Sequence, residues 1–278
     1  MRGSAKELSN TKIIEQWLYG RPRRTQDAYL RDVTQAMNFW DNPPLEAISL
    51  GCLQSYQTYL IEVLHLRAGS VKRKISSLRS LLKFAHEQEF IPRNPAIALR
   101  SPKVHENLHE RILSPQQVRA IIAAAKPGRD RALLLLTYAI GARISEVCGI
   151  LWKDFTPKPD GTAVVRLLGK RDKWRSVRVP AVVWSEIEAL RGDASDEGRV
   201  FGLAPRQAHD VKKAAVLKSG APAEASLHWL RHSAASHSLE AGAPIHVVRD
   251  SLGHASIQTT DKYLHSSPEE SASDYLNL

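Results

Sequence analysis

The chain has 278 residues, 43% of them apolar, with 39 Lys/Arg against 29 Asp/Glu and a net charge of +10. That length suits two domains, and the charge excess suits a polyanion such as nucleic acid. Two cysteines exclude a disulfide framework and fit a reducing, cytoplasmic setting, and neither an apolar run of roughly 18 residues nor a signal-peptide core is present.

Ile13, Ile14, Trp17 and Leu18 share one face and predict a helix over residues 11–19, stopped by Gly20. Residues 21–25 form a basic connector, with Arg23 and Arg24 as DNA-contact candidates and Thr25 as an N-cap candidate. Tyr29, Val33, Ala36, Met37 and Trp40 mark a second helix, closed by Asn42, Pro43 and Pro44. Ser49 opens a third, with Leu53, Tyr56, Leu60 and Leu64 inward.

A fourth helix is expected over residues 70–86, with Val71, Ile75, Leu78, Leu82 and Ala85 as its core stripe. Lys72, Ser76, Arg79 and Lys83 form a second stripe at the same spacing, with no acidic residue in it. A solvated face usually interleaves Glu with Lys, whereas a basic stripe with serine suits phosphate oxygens. Residues 1–104 hold 16 Lys/Arg against 9 Asp/Glu, and the remainder 23 against 20, so most of the electrostatic attraction lies in the first domain.

Residues 105–112 fall in an aperiodic linker. Ser114, Pro115 and Gln117 then open the second domain with an N-cap, a proline at N1 and a capping-box glutamine. Residues 131–140 read as a buried helix ended by Gly141, and Arg143 begins the next helix immediately. Residues 164–168 and 174–179 read as strands joined by a basic turn over 169–173. From Trp184 onward the chain is expected to be helical apart from loops near 192–204 and 218–226.

The chemistry concentrates in six groups: Arg143, Lys170, His228, Arg231, His254 and Tyr263. His228 and Arg231, three apart, share a helix face, while His254 is expected at another helix start after Gly253. Singly, each has a plain structural role open to it: an ion pair of Arg143 with Glu146, a capping histidine, a loop histidine, a tyrosine with a buried ring. His228 and His232 are four apart, but the glutamate of a His-Glu-x-x-His zinc helix is missing and Arg231 would repel the cation, so no metal is expected. No phosphate-binding glycine loop or nucleophile elbow occurs, and no cofactor is called for. Together the six are rich in donors and poor in carboxylates, which complements the extra negative charge of a phosphoryl-transfer transition state. The one nucleophile candidate is Tyr263.

These residues sit in five pieces: Gly141-Ala-Arg143-Ile-Ser-Glu146, Leu168-Gly-Lys170-Arg-Asp-Lys173, Leu227-His228-Trp-Leu-Arg231-His232, Leu252-Gly-His254 and Thr259-Thr-Asp-Lys-Tyr263. In this order, over about 120 residues, they resemble the tyrosine recombinases of the phage-integrase, Cre and Xer superfamily. Residues 11–100 are similar in pattern to that family's helical core-binding domain.

The resemblance implies a mainly α fold with a small β-sheet and two domains. Residues 1–104 would be a four- to five-helix SAM-like core-binding domain, and residues 113–278 an α+β catalytic domain. It implies a metal- and ATP-independent, site-specific recombinase acting through a 3′-phosphotyrosyl intermediate. Tyr263 would attack the phosphate, Arg143 and Arg231 clamp its oxygens, and His254 donate to one of them. Lys170 would protonate the leaving 5′-oxygen, His228 assist near Tyr263, and Glu146 orient Arg143. The implied partners are double-stranded DNA carrying a recombination site, further copies in a tetramer, and a second recombinase or accessory protein in some systems. The size and the absence of an evident arm-binding domain favour a small Xer-like or mobile-element enzyme. A type IB topoisomerase and a non-catalytic DNA-binding relative are the alternatives.

Overall fold

The computed structural model describes residues 9–102, 111–169, 173–254 and 260. The chain divides into two compact units, Met1–Glu106 and Asn107–Leu278. Each is built around its own apolar core.

The first unit contains helices α1 (Asn10–Leu18), α2 (Arg23–Phe39), α3 (Leu50–Thr58) and α4 (Ala68–Glu87). Ser49 caps α3 by accepting from the Cys52 amide at 3.2 Å. The helix then continues into a single π-helical turn, Tyr59–Val63, which keeps Leu60 buried. Helix α2 differs from expectation at its start: Pro22 occupies the N-cap and Thr25 lies inside the first turn. The fixed φ of proline preorganises that entry without a side-chain cap.

Helix α4 is the axis of this unit. Its inward stripe of Val71, Ile75, Leu78, Leu82 and Ala85 is buried, each side chain following the last by three or four residues. Beneath it, Asp32 of α2 is buried and takes charge-assisted bonds from Arg73 and Lys74. The Trp17 indole nitrogen and Arg21 both donate to Ser80 Oγ, and the Arg21 guanidinium stacks over Trp17 and Tyr29.

The second unit begins with α5 (Pro115–Ala124), whose capping box between Ser114 and Gln117 forms as expected. Next come α6 (Arg129–Ala139) and the single-turn α7 (Ile144–Val147). A three-stranded antiparallel meander follows: β1 (Phe155–Pro157), β2 (Ala163–Leu168) and β3 (Trp174–Val179). Strand β1 has only three residues and ends in a proline, so it carries no period-2 signal, and only the pairing Phe155↔Val165 reveals it. The unit closes with α8 (Ala181–Glu188), α9 (Pro205–Ser219), α10 (Leu227–Glu240) and α11 (Ile245–Leu252). Helix α6 packs against α5, α8 and α10, so the apolar run Leu133, Leu134 and Leu136 is buried from several sides.

Candidate active site

Three chain turns in the second unit place the site. After α6, Gly141 takes the left-handed conformation at φ +57°, and a Cβ there would lie 2.6 Å from Leu252 Cδ2. The turn therefore needs glycine. It aims the Gly141 carbonyl at Arg231 and sets Arg143 as the N-cap of α7. The second turn is the start of α10, capped by Ser226 and pinned where the Leu113 amide donates to Ser233 Oγ at 2.8 Å.

The third turn is Gly253, which ends α11 in the left-handed conformation; the helix start expected at His254 falls on residues outside the described ones. The His254 amide bonds the Arg249 carbonyl at 3.1 Å and the Gly253 amide bonds the Asp250 carbonyl at 3.0 Å, a Schellman closure. Glycine reads equally as a stop and as a preface to a start, and only the hydrogen-bond pattern shows the stop.

Arg231 is the most deeply placed of the candidates among the described residues, at 2% exposure. Its Nη1 donates to the Gly141 carbonyl at 2.6 Å and its Nη2 to the Leu252 carbonyl at 2.8 Å. The guanidinium is thereby fixed to the ends of α6 and α11 at once. Glu146, also buried, is the hub of a second cluster. Its Oε2 accepts from the Arg143 amide at 2.9 Å and Arg175 Nη2 at 2.7 Å, and its Oε1 from Arg143 Nη1 at 2.8 Å and Arg175 Nη1 at 3.2 Å. These four bonds fill the lone-pair capacity of a carboxylate. Burial pushes the Glu146 carboxyl up, but the bonds from Arg175 and Arg143 outweigh it and hold it below the ordinary range.

The histidines lie in the field of these arginines. His254, half-buried, shares a hydrogen bond between Nδ1 and Thr260 Oγ1 at 2.9 Å. Desolvation, then the charges of Arg231, Arg143, His228 and Arg175, push it down to about 4. His228 is lowered by desolvation and then by Arg231, Arg143 and Arg111, although its ring keeps an exposed side. His232 packs edge-to-face on it with centroids 4.3 Å apart, and desolvation followed by His228, Arg231, Arg111 and His254 brings it down to about 3. At neutral pH all three imidazoles are therefore uncharged.

A stability consequence follows for His232, which is buried at 8% exposure. Its folded value lies below the unfolded value near 6.5, so the unfolded chain binds the extra proton and stability falls as pH drops below 6.5. On going from pH 7.5 to 5 this histidine alone should cost on the order of 2 kcal/mol. In urea titrations at the two pH values, His232→Gln should reduce the loss by that amount; an unchanged loss would refute the depressed value.

The structure thus brings Arg143, Glu146, His228, Arg231 and His254 into one electrostatically coupled group. Lys170 and Tyr263 lie outside the described residues. Arg175, Arg111 and His232 belong to the group as well, and the sequence reading did not include them. Arg175 had a signal: on β3 it shares the face of Val177 and Val179, both buried, and an arginine on the inward face of a strand requires a buried counter-charge.

The candidate DNA-contact residues lie in the first unit. Lys72, Ser76 and Lys83 are exposed along α4, and Arg23 and Arg24 are exposed in the first turn of α2. Arg79 is half-buried and donates to the Leu99 carbonyl. Helix α4 runs one residue further than expected, to Glu87, whose carboxylate lies 3.6 Å from the Lys83 ammonium one turn earlier.

The phage integrase family model matches residues 111–270, and the phage integrase N-terminal SAM-like domain model matches residues 20–89. The tyrosine recombinase XerC of Mycobacterium leprae is 33% identical over 277 residues, spanning 88% of this chain and 89% of its own length. The chain belongs to the phage integrase family of tyrosine recombinases. The tyrosine recombinase XerD of Vibrio vulnificus is a similar relative, 31% identical over 271 residues, with 90% of this chain and 87% of that one covered. A lambda integrase dimer bound to a COC′ core site shares the fold at TM-score 0.75 and 18% identity, covering 95% of this chain and 98% of that one.

As a member of this family the protein is a site-specific recombinase, and the topoisomerase and non-catalytic readings are not favoured. Its mostly helical build with one small sheet is the fold expected from the motifs. Among the described residues no helix is long and apolar enough to cross a membrane.

Proposed function

We propose that this recombinase cleaves and rejoins duplex DNA by phosphoryl transfer at the cluster around Arg231. The observation that carries the proposal is the charge balance there. Three guanidiniums, from Arg143, Arg175 and Arg231, act on His254 from different elements, two of them bonded to the buried carboxylate of Glu146, and the neighbouring imidazoles are held neutral. A desolvated positive field of this kind suits the developing charge on non-bridging phosphate oxygens. Tyr263 Oη attacks phosphorus, the bond to the 5′-oxygen breaks, and a 3′-phosphotyrosyl link forms. Neutral His228 takes up the phenolic proton or orients it, and Lys170 delivers a proton to the 5′-oxygen. Arg143 and Arg231 hold the phosphate, and His254 donates to it. In the tautomer in which Thr260 donates to Nδ1, His254 carries its proton on Nε2 and presents it for that purpose. Attack by the 5′-hydroxyl of another strand reverses the step and exchanges strands without an external energy source.

In this reading residues 113–278 are the catalytic domain, and residues 1–104 bind the DNA flanking the cleavage point through α2 and α4. Solved relatives include a lambda integrase tetramer on a Holliday junction and XerH on a difH substrate, which supports a tetrameric assembly on two DNA sites for this chain too. The enzyme works in the cytoplasm, where its DNA is found.

The test is covalent capture. Purified protein is incubated with fragmented genomic DNA of its source, trapped in denaturant, and the attached DNA sequenced. Recovery of one recurrent sequence joined through its 3′ end to the peptide containing Tyr263 is the expected result; no covalent complex on any fragment would sink the proposal. On a duplex of the captured sequence, Lys72→Ala and Lys83→Ala should each weaken binding and lower the salt slope of log K by about 1, against no change for a non-contacting face.

A further inference from the structure

We infer that Arg175 is a positioning residue that holds the phosphate-binding arginine and the histidine in register with the β2–β3 hairpin. This rests on the phosphoryl-transfer reading above. Arg175 is the second residue of β3 and pairs with Leu167, next to the connection between β2 and β3 in which Lys170 lies in sequence. One guanidinium on β3 reaches two other elements, α7 and α11. Nη1 and Nη2 fork the Glu146 carboxylate at 3.2 and 2.7 Å, and Glu146 holds both the amide and the Nη1 of Arg143. Nε donates to the Ser251 carbonyl at 2.9 Å, in the last turn of α11.

The approach to α11 is close enough to restrict the neighbouring residue. A Cβ on Gly253 would lie 3.1 Å from Arg175 Cδ and Nη1, so the glycine that precedes His254 also makes room for this side chain. Arg175 thus braces the turn before His254 and the carboxylate behind Arg143 with one rigid, planar group. Its side chain is only 12% exposed, and that of Glu146 4%, so the ion pair is shielded from solvent and salt. A lysine keeps the charge but lacks the fork: its single ammonium does not reproduce two parallel bonds to Glu146 together with the Nε bond to Ser251.

Charge and geometry therefore separate in the test. His254 faces Arg231 and His228 of α10, Arg143 at the start of α7, Arg175 of β3 and the Thr260 hydroxyl. Histidine-labelled wild type, Arg175→Lys and Arg175→Gln are titrated by NMR without DNA. Arg175→Gln removes a neighbouring positive charge and should raise the His254 midpoint, while Arg175→Lys should leave it near wild type. On a nicked suicide duplex of the captured sequence, both variants should bind within about twofold of wild type. Cleavage should fall about 100-fold in Arg175→Gln and about tenfold in Arg175→Lys, as expected when reacting groups lose fixed placement. Wild-type cleavage rates in either variant, or a His254 midpoint unmoved in Arg175→Gln, would overturn the inference. Should Arg175→Gln fail to fold, the decision rests on Arg175→Lys, in which unchanged cleavage refutes it. Failure of the wild type to cleave would instead count against the phosphoryl-transfer reading.

Discussion

Arg231→Ala should reduce DNA cleavage by about 10³- to 10⁵-fold, the range seen when an arginine that stabilises a phosphoryl-transfer transition state is removed. Binding should change far less. Arg231 is 2% exposed, and its bonds to the Gly141 and Leu252 carbonyls hold it inside the unit, so it has little surface to offer a duplex outside the cleavage point. Filter binding and suicide-duplex cleavage measured on the same preparation separate the two effects. Loss of binding in parallel with cleavage would make Arg231 a DNA-docking contact. The alanine also removes the charge-assisted bonds to the Gly141 and Leu252 carbonyls, at about 1.5–3 kcal/mol each, so the melting temperature must be recorded alongside. Arg231→Lys is the companion variant: it keeps the charge, loses the planar fork, and should fall between alanine and wild type in cleavage.

Tyr263→Phe should abolish the covalent DNA complex altogether while leaving site binding and stability near wild type. The substitution deletes one oxygen and changes little volume, so the expected loss reflects the missing nucleophile. Tyr275, further along the same terminal stretch, is the built-in control: Tyr275→Phe should retain the covalent complex. A complex that survives in Tyr263→Phe and disappears in Tyr275→Phe would move the nucleophile to the other tyrosine. Residual strand cleavage in Tyr263→Phe without any protein–DNA link would point to hydrolysis and against a recombinase mechanism.

The helices of the first unit were legible because burial imposes a period. Val71, Ile75, Leu78, Leu82 and Ala85 follow one face of α4, and that face is the buried one. The capping box at Ser114 was legible for a similar reason, since the orphan amides of a helix start demand particular side chains at particular offsets. Short-range chemistry of this sort is written locally. Thr25 shows its limit: a good capping residue was present, but Pro22 started the helix three residues earlier. Strand β1 shows another, because three residues paired to a neighbour carry too little pattern to be seen without that neighbour.

What the sequence by itself determined was the set of chemical groups and their order: Arg143, Lys170, His228, Arg231, His254 and Tyr263 in five short motifs. Those motifs depend on residue type and near-neighbour spacing, which the chain states directly. What only the tertiary structure decided was how the groups are held. Arg175 meets Glu146 across 29 positions, Arg231 meets Gly141 across 90, and Arg175 meets Ser251 across 76. No local period encodes contacts at such separations. They exist because α6, α10 and β3 share one core and α11 packs against α10 and β3, and the ends of those elements bring distant polar groups together where water is excluded.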